Sequence, residues 1–421
     1  MIITKKQNIA ILALGSELSQ GFTLNTGSHF LAKEMTALGY NIFAQITLPD
    51  ESSTFLDIAS KLLSLDIEAI IITGGLGPTS DDKTRQLLAD LAHVTLEHSE
   101  EAENSIKKFL LKHNKPYHKG NSVQAYFPKG ACWLENHNGT APGIQLSING
   151  KVVFAIPGVP SETRSMFEAH LKPYFTNKQK NVFIAKEILF QGIAEPELET
   201  ILSRLSFNET SWSSLPEKDG IRLRIYGTNE TQVQVSFSST LKELLKTENV
   251  NIISTNGDSL AIALVSALKE RNETLGTAES CTGGLIASEI VAIPGSSAIF
   301  NGGIVSYSNE IKHRILGVPA EILETYGAVS EEVVARMAEG AKRVLGTDWA
   351  IATSGVAGPS GGTKEKPVGL VWFAIASAEG TETFSKIFNG KRNEIREKSV
   401  LYVMGKLFTK FTQKSTCTFV Q

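Results

Sequence analysis

Three residues in the C-terminal half of the chain, Ser280, Tyr307 and Lys312, are of the types from which a serine-based acyl transfer is assembled. A serine hydroxyl is a poor nucleophile until a base takes its proton, and a lysine whose pKa is depressed by burial can be that base. The segment TLGTAESCTGGLIASEIV reads as strand, tight turn and helix. Ser280 is therefore expected at or beside a helix N-terminus, with free backbone N–H groups around it to hold an oxyanion or a phosphate. Thr282, Gly283 and Gly284 follow directly; two glycines there let a ligand approach the backbone, or serve only close packing. The segment FNGGIVSYSNEIKHRILGV puts Tyr307 at the end of a strand and Lys312 one turn into a helix that Asn309 is placed to cap. Tyr307 would relay the proton or orient the lysine. A lysine in such a position ordinarily points to water. Cys281 is the rival nucleophile, although a cysteine beside a turn equally packs inward.

Two more segments supply binding groups. WAIATSGVAGPSGGTKEKPVGLVWFAIA is a strand ending at Ser354 and Gly355, a Gly/Pro-rich loop, and a returning strand; such loops often cover a ligand at the strand's carboxyl end. FNGKRNEIREKSV places Arg392 at a helix start, where guanidinium and helix amides together suit a phosphate.

A separate constellation lies near the N-terminus. AIIITGGLGPTSDDKTRQLLA is an apolar strand, a glycine-rich turn and a helix whose first turn is expected to hold Asp81 and Asp82. Gly74, Gly75 and Gly77 permit backbone approach to a phosphate-bearing ligand, and the carboxylates can hold a divalent metal beside it. Acidic residues also stabilise helix N-termini without any ligand. Glu17, Asn25 and Thr26 after the first strand, Asp50 after the second, Thr140 in NGTAPG, and the IPGVPSE segment join the set.

Positioning these groups requires alternating strands and helices. Strands are expected at Ile9 to Leu14, Ile42 to Thr47, Ala69 to Thr73 and Val152 to Ile156, with helices near Asn25 to Leu38, after Asp82, after Ser99 and from Pro160. From Val182 to Val250 the pattern changes to short strands, Val182 to Phe190 and Ile221 to Tyr226, with helices at Pro196 to Leu205 and Ser239 to Leu245. A fresh α/β block then opens with a helix from Ser259 to Arg271, strands at Thr274 to Ala278, Gly303 to Ser306, Trp349 to Ala352 and Val368 to Ala376, and a last helix from Arg392 to Phe411. The expected fold class is α/β: an N-terminal three-layer αβα domain over 1–172, a small α+β middle domain over 173–255, and a C-terminal αβα domain over 256–421.

The 421 residues exceed what one core usually organises. With 41 basic against 44 acidic side chains the formal charge is only -3, so no global field steers the chain to nucleic acid or membrane. Cys132, Cys281 and Cys417 lie too far apart in sequence for a Cys-x-x-Cys metal site or a disulfide framework, which fits a reducing cytoplasm. No run reaches the 18 or more apolar residues of a membrane helix.

Taken in order, AESCTGG, GSSAIFNGGIVSYSNEIKHRILGV, YGAVSEEVV, SGVAGPSGGTKEKPVG and the Arg392 segment resemble the C-terminal domain of the CinA family, the nicotinamide-nucleotide amidases. The resemblance implies Ser280 as nucleophile, Lys312 as its base with Tyr307 assisting, and Ser354, Arg392, Thr282, Gly283 and Gly284 at the substrate. It implies hydrolysis of nicotinamide mononucleotide to nicotinate mononucleotide and ammonia through an acyl-enzyme, with no cofactor. The N-terminal segments resemble the molybdopterin-binding domain of the same family. That likeness implies a nucleotide site at Gly74, Gly75, Gly77, Asn25, Thr26 and Thr140, and a divalent metal, magnesium or cobalt, on Asp82, Asp50, Asp81 and Glu17 for cleavage of ADP-ribose-type pyrophosphates. In one departure, Leu24 stands before Asn25 where relatives carry an aspartate, so one possible ligand is absent. A homodimer is implied by the resemblance alone. The competing classes are a molybdopterin or nucleotide binding protein without amidase activity and a competence-related regulator.

Overall fold

The computed structural model describes residues 7–178 and 183–412; Val182 and Cys417 lie outside them. The chain divides into two compact units, one running to Ile184 and taking in Gly227–Glu230, the other made of Ala185–Tyr226 and the chain from Thr231 onward. Among the described residues no helix is long and apolar enough to cross a membrane.

The first unit contains β1 (Asn8–Leu14), β2 (Asn41–Leu48), β3 (Ala69–Thr73), the short pair β4 (Leu96–His98) and β5 (Tyr126–Pro128), then β6 (Cys132–Leu134), β7 (Gly143–Ile148) and β8 (Lys151–Ile156). Six of these form one sheet in the order β2-β1-β3-β8-β7-β6. β1, β2, β3 and β8 are parallel, and β7 and β6 complete the edge antiparallel. Successive side chains of a strand face opposite ways, and the two cores follow that rule. Ile9, Ile11, Ala69 and Ile71 pack with Leu31, Met35 and Phe154 on one face, while Ala10, Leu12, Ile70 and Ile72 pack with Phe55, Leu87 and Ile106 on the other. The three-layer αβα arrangement expected from the sequence is therefore present. β6 and β7 are not among the expected strands; their brevity and antiparallel pairing give little periodic signal.

The second unit carries two sheets. A four-stranded one, in the order β10-β11-β9-β12, contains β9 (Ile184–Gln191), β10 (Thr210–Glu217), β11 (Gly220–Gly227) and β12 (Asn251–Ser254). Helices Glu195–Leu202 and Glu230–Lys246 pack on it. The five-stranded sheet, β14-β13-β15-β16-β17, contains β13 (Leu275–Glu279), β14 (Phe300–Val305), β15 (Trp349–Gly355), β16 (Leu370–Ala376) and β17 (Thr381–Ile387). β13 is parallel to both its neighbours, and β15, β16 and β17 run as an antiparallel meander. Helices Leu260–Arg271 and Arg392–Thr412 cover one face through Leu264, Leu268, Val403 and Leu407. Helix Glu331–Leu345 covers the other, laying Val333, Val334, Met337 and Ala341 on the small side chains Ala278, Ala350, Ala352 and Ala374.

Both main sheets carry the same device. β1 has β2 on one side and β3 on the other, and β13 has β14 on one side and β15 on the other, so consecutive crossovers leave in opposite directions. That reversal opens a crevice at the carboxyl ends of the strands.

The small sheet is tied to the block that follows it by a buried carboxylate. Asp219 is 4% exposed and its Oδ2 accepts the backbone N–H of Leu260, at 2.9 Å, at the start of helix Leu260–Arg271. Replacing Asp219 with Ala leaves that amide buried without its acceptor and should lower stability by about 1–3 kcal/mol. Urea unfolding followed by fluorescence measures it, and an unchanged midpoint would dismiss the tie.

Candidate functional site

β13 is buried along its whole length and ends at Glu279, itself only 1% exposed. A buried carboxylate needs donors, and Glu279 finds them in the turn ahead: its two oxygens accept the N–H groups of Gly284 (2.9 Å), Ile286 (3.1 Å) and Ala287 (2.9 Å). Thr277 adds its hydroxyl at 3.3 Å. These amides are the N-terminal ones of helix Leu285–Val291, so Glu279 satisfies the helix start. The expected free helix amides around Ser280 are therefore not free. Ser280 lies five residues before the helix, in the turn, and its own N–H donates to Thr353 O at 3.0 Å.

Two further ties hold the turn. The hydroxyls of Thr282 and Thr353 are 2.8 Å apart, linking the turn to β15. Arg396 donates to the carbonyls of Cys281 (3.2 Å) and Thr282 (2.8 Å). Gly283 and Gly284, at φ 60° and 91°, take the left-handed backbone that lets the chain reverse within four residues.

Lys312 sits in helix Asn309–Arg314, capped by the Ser308 hydroxyl, which accepts from Ile311 N, rather than by Asn309, the first helical residue. The side chain does not point to water: Lys312 is 1% exposed. Its Nζ donates to Ser280 Oγ at 3.1 Å, Ser306 O at 2.8 Å and, more weakly, Tyr307 O at 3.5 Å. Burial lowers its pKa below the ordinary lysine value. Cys281 is buried as well, and burial pushes its thiol up to about 11, away from the thiolate a nucleophile requires.

The remaining C-terminal candidates divide. Arg392 opens helix Arg392–Thr412 as expected, and donates to Gly358 O at 2.7 Å and to the Tyr307 hydroxyl at 3.1 Å. Tyr307 thus meets Lys312 through its carbonyl, while its exposed phenol belongs to the arginine. Ser354 ends β15 but is 1% exposed, and its hydroxyl donates to Ala328 O at 2.5 Å. Glu279, Thr353 and Arg396 were missed in the sequence. An acidic residue a few positions ahead of a Gly-Gly helix start was the available signal for the first.

In the first unit, a cavity of about 510 Å³ lies at the carboxyl ends of β1, β3 and β8. It is lined by all ten expected residues: Glu17, Asn25, Thr26, Asp50, Gly74, Gly75, Gly77, Asp81, Asp82 and Thr140. The glycine-rich loop is tightly determined. Gly74 and Gly75 have φ 104° and 66°, and a Cβ on Gly74 would lie 2.2 Å from Leu14 O. Thr84 donates to Gly74 O at 2.8 Å, and the buried Arg85 guanidinium to Leu76 O and Gly77 O, both at 2.7 Å. The carboxylates are a different matter. The helix begins at Thr84, so Asp81 and Asp82 precede it instead of occupying its first turn. Asp82 accepts from the Thr79 amide and hydroxyl, and Asp50 from those of Ser16. Asn25 caps helix Thr26–Ala37. Among the described residues no three His, Cys, Asp or Glu side chains are gathered as a metal site. The carboxyl that sequence reasoning left unassigned is Glu162, held by Asn136 at 2.6 Å and raised in pKa by burial.

Residues 257–411 match the CinA C-terminal domain, and residues 10–177 match a family described as "Probable molybdopterin binding domain". The chain is 38% identical over 408 residues to a competence-damage inducible protein of Clostridioides difficile, spanning 94% of this chain and 97% of that one. It is 37% identical over 408 residues to a CinA-like protein of Parasynechococcus marenigrum, spanning 95% and 97%. Among solved structures, the competence/damage inducible protein CihA from Agrobacterium tumefaciens is 38% identical over 37% of this chain and 94% of that one, with a TM-score of 0.35. At this identity over nearly the full length of its relatives, and with both domains matched in order, the chain belongs to the CinA family.

Proposed function

We propose that the C-terminal αβα domain is a serine–lysine amidohydrolase acting on nicotinamide mononucleotide. The observation that carries this reading is the 3.1 Å hydrogen bond from the buried Lys312 Nζ to Ser280 Oγ. A protein that only binds has no need of an amine removed from water and aimed at a hydroxyl.

In the neutral form Lys312 takes the Ser280 proton as Oγ attacks the carboxamide carbon. The tetrahedral intermediate collapses with loss of ammonia, the proton returning from Lys312 to the leaving nitrogen. Water, deprotonated by the same lysine, then attacks the acyl-enzyme ester and releases nicotinate mononucleotide and free Ser280. The Ser306 and Tyr307 carbonyls hold the ammonium while it carries the proton. Arg392, exposed at its helix start, is the group for the substrate phosphate.

For the N-terminal domain the cavity at the glycine-rich loop supports binding of a phosphate-bearing nucleotide, with ADP-ribose as the ligand to test first. The carboxylates, tied to their own loops, support binding more than metal-dependent cleavage.

Ser280→Ala and Lys312→Met should each lower ammonia release from nicotinamide mononucleotide by about 10³-fold or more. Cys281→Ala should stay within about threefold of the parent, because its thiol plays no part in the proton transfer. Full activity in folded Ser280→Ala would end the assignment.

The pH dependence has a definite sign. Lys312 acts when neutral, so kcat/KM rises with pH through its lowered pKa and levels off above it, on the acid side of the ordinary value of 10.5. An ascending limb centred at or above 10.5 would exclude Lys312 as the base.

Calorimetric titration of the full chain with ADP-ribose, with and without magnesium, tests the N-terminal reading. Gly75→Ala should abolish binding, since a Cβ there would lie 2.3 Å from Thr84 Oγ1. Equal binding by that variant would place the ligand elsewhere.

A further inference from the structure

A cavity in the unit that holds Ser280, of about 590 Å³, lies where β9 and the end of helix Glu230–Lys246 meet β17 and helix Arg392–Thr412. Its wall includes Lys218, Lys386, Lys398 and Lys406 and no carboxylate. In a chain with 44 acidic and 41 basic side chains, that is a marked local imbalance.

Lys218 is already neutralised by Glu289 at 2.9 Å. Among the described residues Lys386 and Lys406 are not. Lys386 and Lys406 hold their ammonium groups 4.5 and 5.8 Å from the centre of the Tyr402 ring, and Lys398 donates to Asn389 O at 2.7 Å. Among the described residues none of these three has a carboxylate within 4.0 Å. The Glu394 carboxylate stands beside Lys398 at the Gly390 turn, which leaves Lys386 and Lys406 as two unneutralised ammonium groups on one hollow; they repel one another, and a multiply charged anion removes that repulsion.

The hollow is also built with some care for its shape. Gly405 lies inside helix Arg392–Thr412, where glycine costs about 1 kcal/mol relative to alanine. A Cβ there would lie 2.8 Å from Gln191 Oε1, so the glycine lets the small sheet come against the helix. Asn251 fixes the approach by donating to Thr409 Oγ1 at 3.0 Å, and Gln191 donates to Asp219 O at 2.9 Å.

We propose that this cavity binds a small polyanion of the diphosphate or triphosphate class, at a site separate from the Ser280–Lys312 pair. Its volume is that of a small-molecule site. The cations meet at one hollow instead of extending along a groove, which favours a compact anion over a polynucleotide. None of its lining residues belongs to the amidase cluster.

The test is isothermal titration of the full chain with sodium tripolyphosphate at low ionic strength. The parent, a Lys386→Glu/Lys406→Glu variant, a Lys398→Gln variant, Arg392→Ala, and a charge-matched Lys33→Glu/Lys61→Glu control are compared, each verified as folded by circular dichroism. Saturable binding that survives in Arg392→Ala and in the control, and weakens at least about tenfold in the double variant and measurably in Lys398→Gln, is the expected result. Absence of binding by the parent, or equal binding by the Lys386/Lys406 variant, overturns the proposal. Preference of the same lysines for a single-stranded oligonucleotide over tripolyphosphate overturns it in favour of nucleic acid.

Discussion

An amine that has no carboxylate partner among the described residues has to be kept out of water by everything it touches. The bond between Lys312 Nζ and Ser280 Oγ depends on that exclusion. A solvated lysine would stay protonated at neutral pH and withdraw nothing from a hydroxyl. The surrounding structure serves the exclusion from two directions. Helix Asn309–Arg314 brings the lysine in behind β14, and the turn after β13 brings the serine to meet it. That turn stays in place because Glu279, the residue just before the nucleophile, uses both carboxylate oxygens on the amides that follow. Charge-assisted bonds of this kind are about twice as strong as neutral ones, so the position of Ser280 is set by the end of a strand more than by the loop it occupies.

The two main sheets arrive at the same solution from unrelated sequences. In each, the strand flanked by two parallel neighbours delivers its carboxyl end into a crevice, and a glycine-containing turn follows at that end or at its neighbour's. In the first unit the turn is Gly74 to Gly77 after β3, and it presents backbone to a cavity. In the second it is Gly283 and Gly284 after β13, and it presents a hydroxyl to an amine. The contrast lies in what holds each turn: Thr84 and Arg85 donate to carbonyls in the first, and Glu279 accepts from amides in the second. The second arrangement spends its amides on a carboxylate.

Much of this was legible in the sequence. The run AIIIT is buried on both faces, and such a strand announces its own limits; β3 spans the residues expected. The ten N-terminal candidates share one cavity because each follows the carboxyl end of a parallel strand or faces it, a relation the βαβ rhythm implies. What periodicity could not supply was the meeting of Ser280 with Lys312, 32 positions apart; residue chemistry raised it and the likeness to a family favoured it. Short-range detail was lost where polar side chains chose partners that a linear reading does not weigh. Asp82 turned to Thr79 and stayed outside its helix, Ser308 took the cap assigned to Asn309, and Tyr307 gave its phenol to Arg392. Edge strands such as β17, exposed along one side, escaped for want of an apolar pattern.

The acceptors that share Lys312 with the serine are main-chain carbonyls, those of Ser306 and Tyr307. No side-chain replacement deletes a carbonyl. Among the described residues the buried Ser306 hydroxyl has no hydrogen-bond partner, and the path of the backbone furnishes the cradle. Heredity can therefore vary the letters at these two positions, within what the space admits, while the surroundings of the base pass unchanged from one sequence to the next.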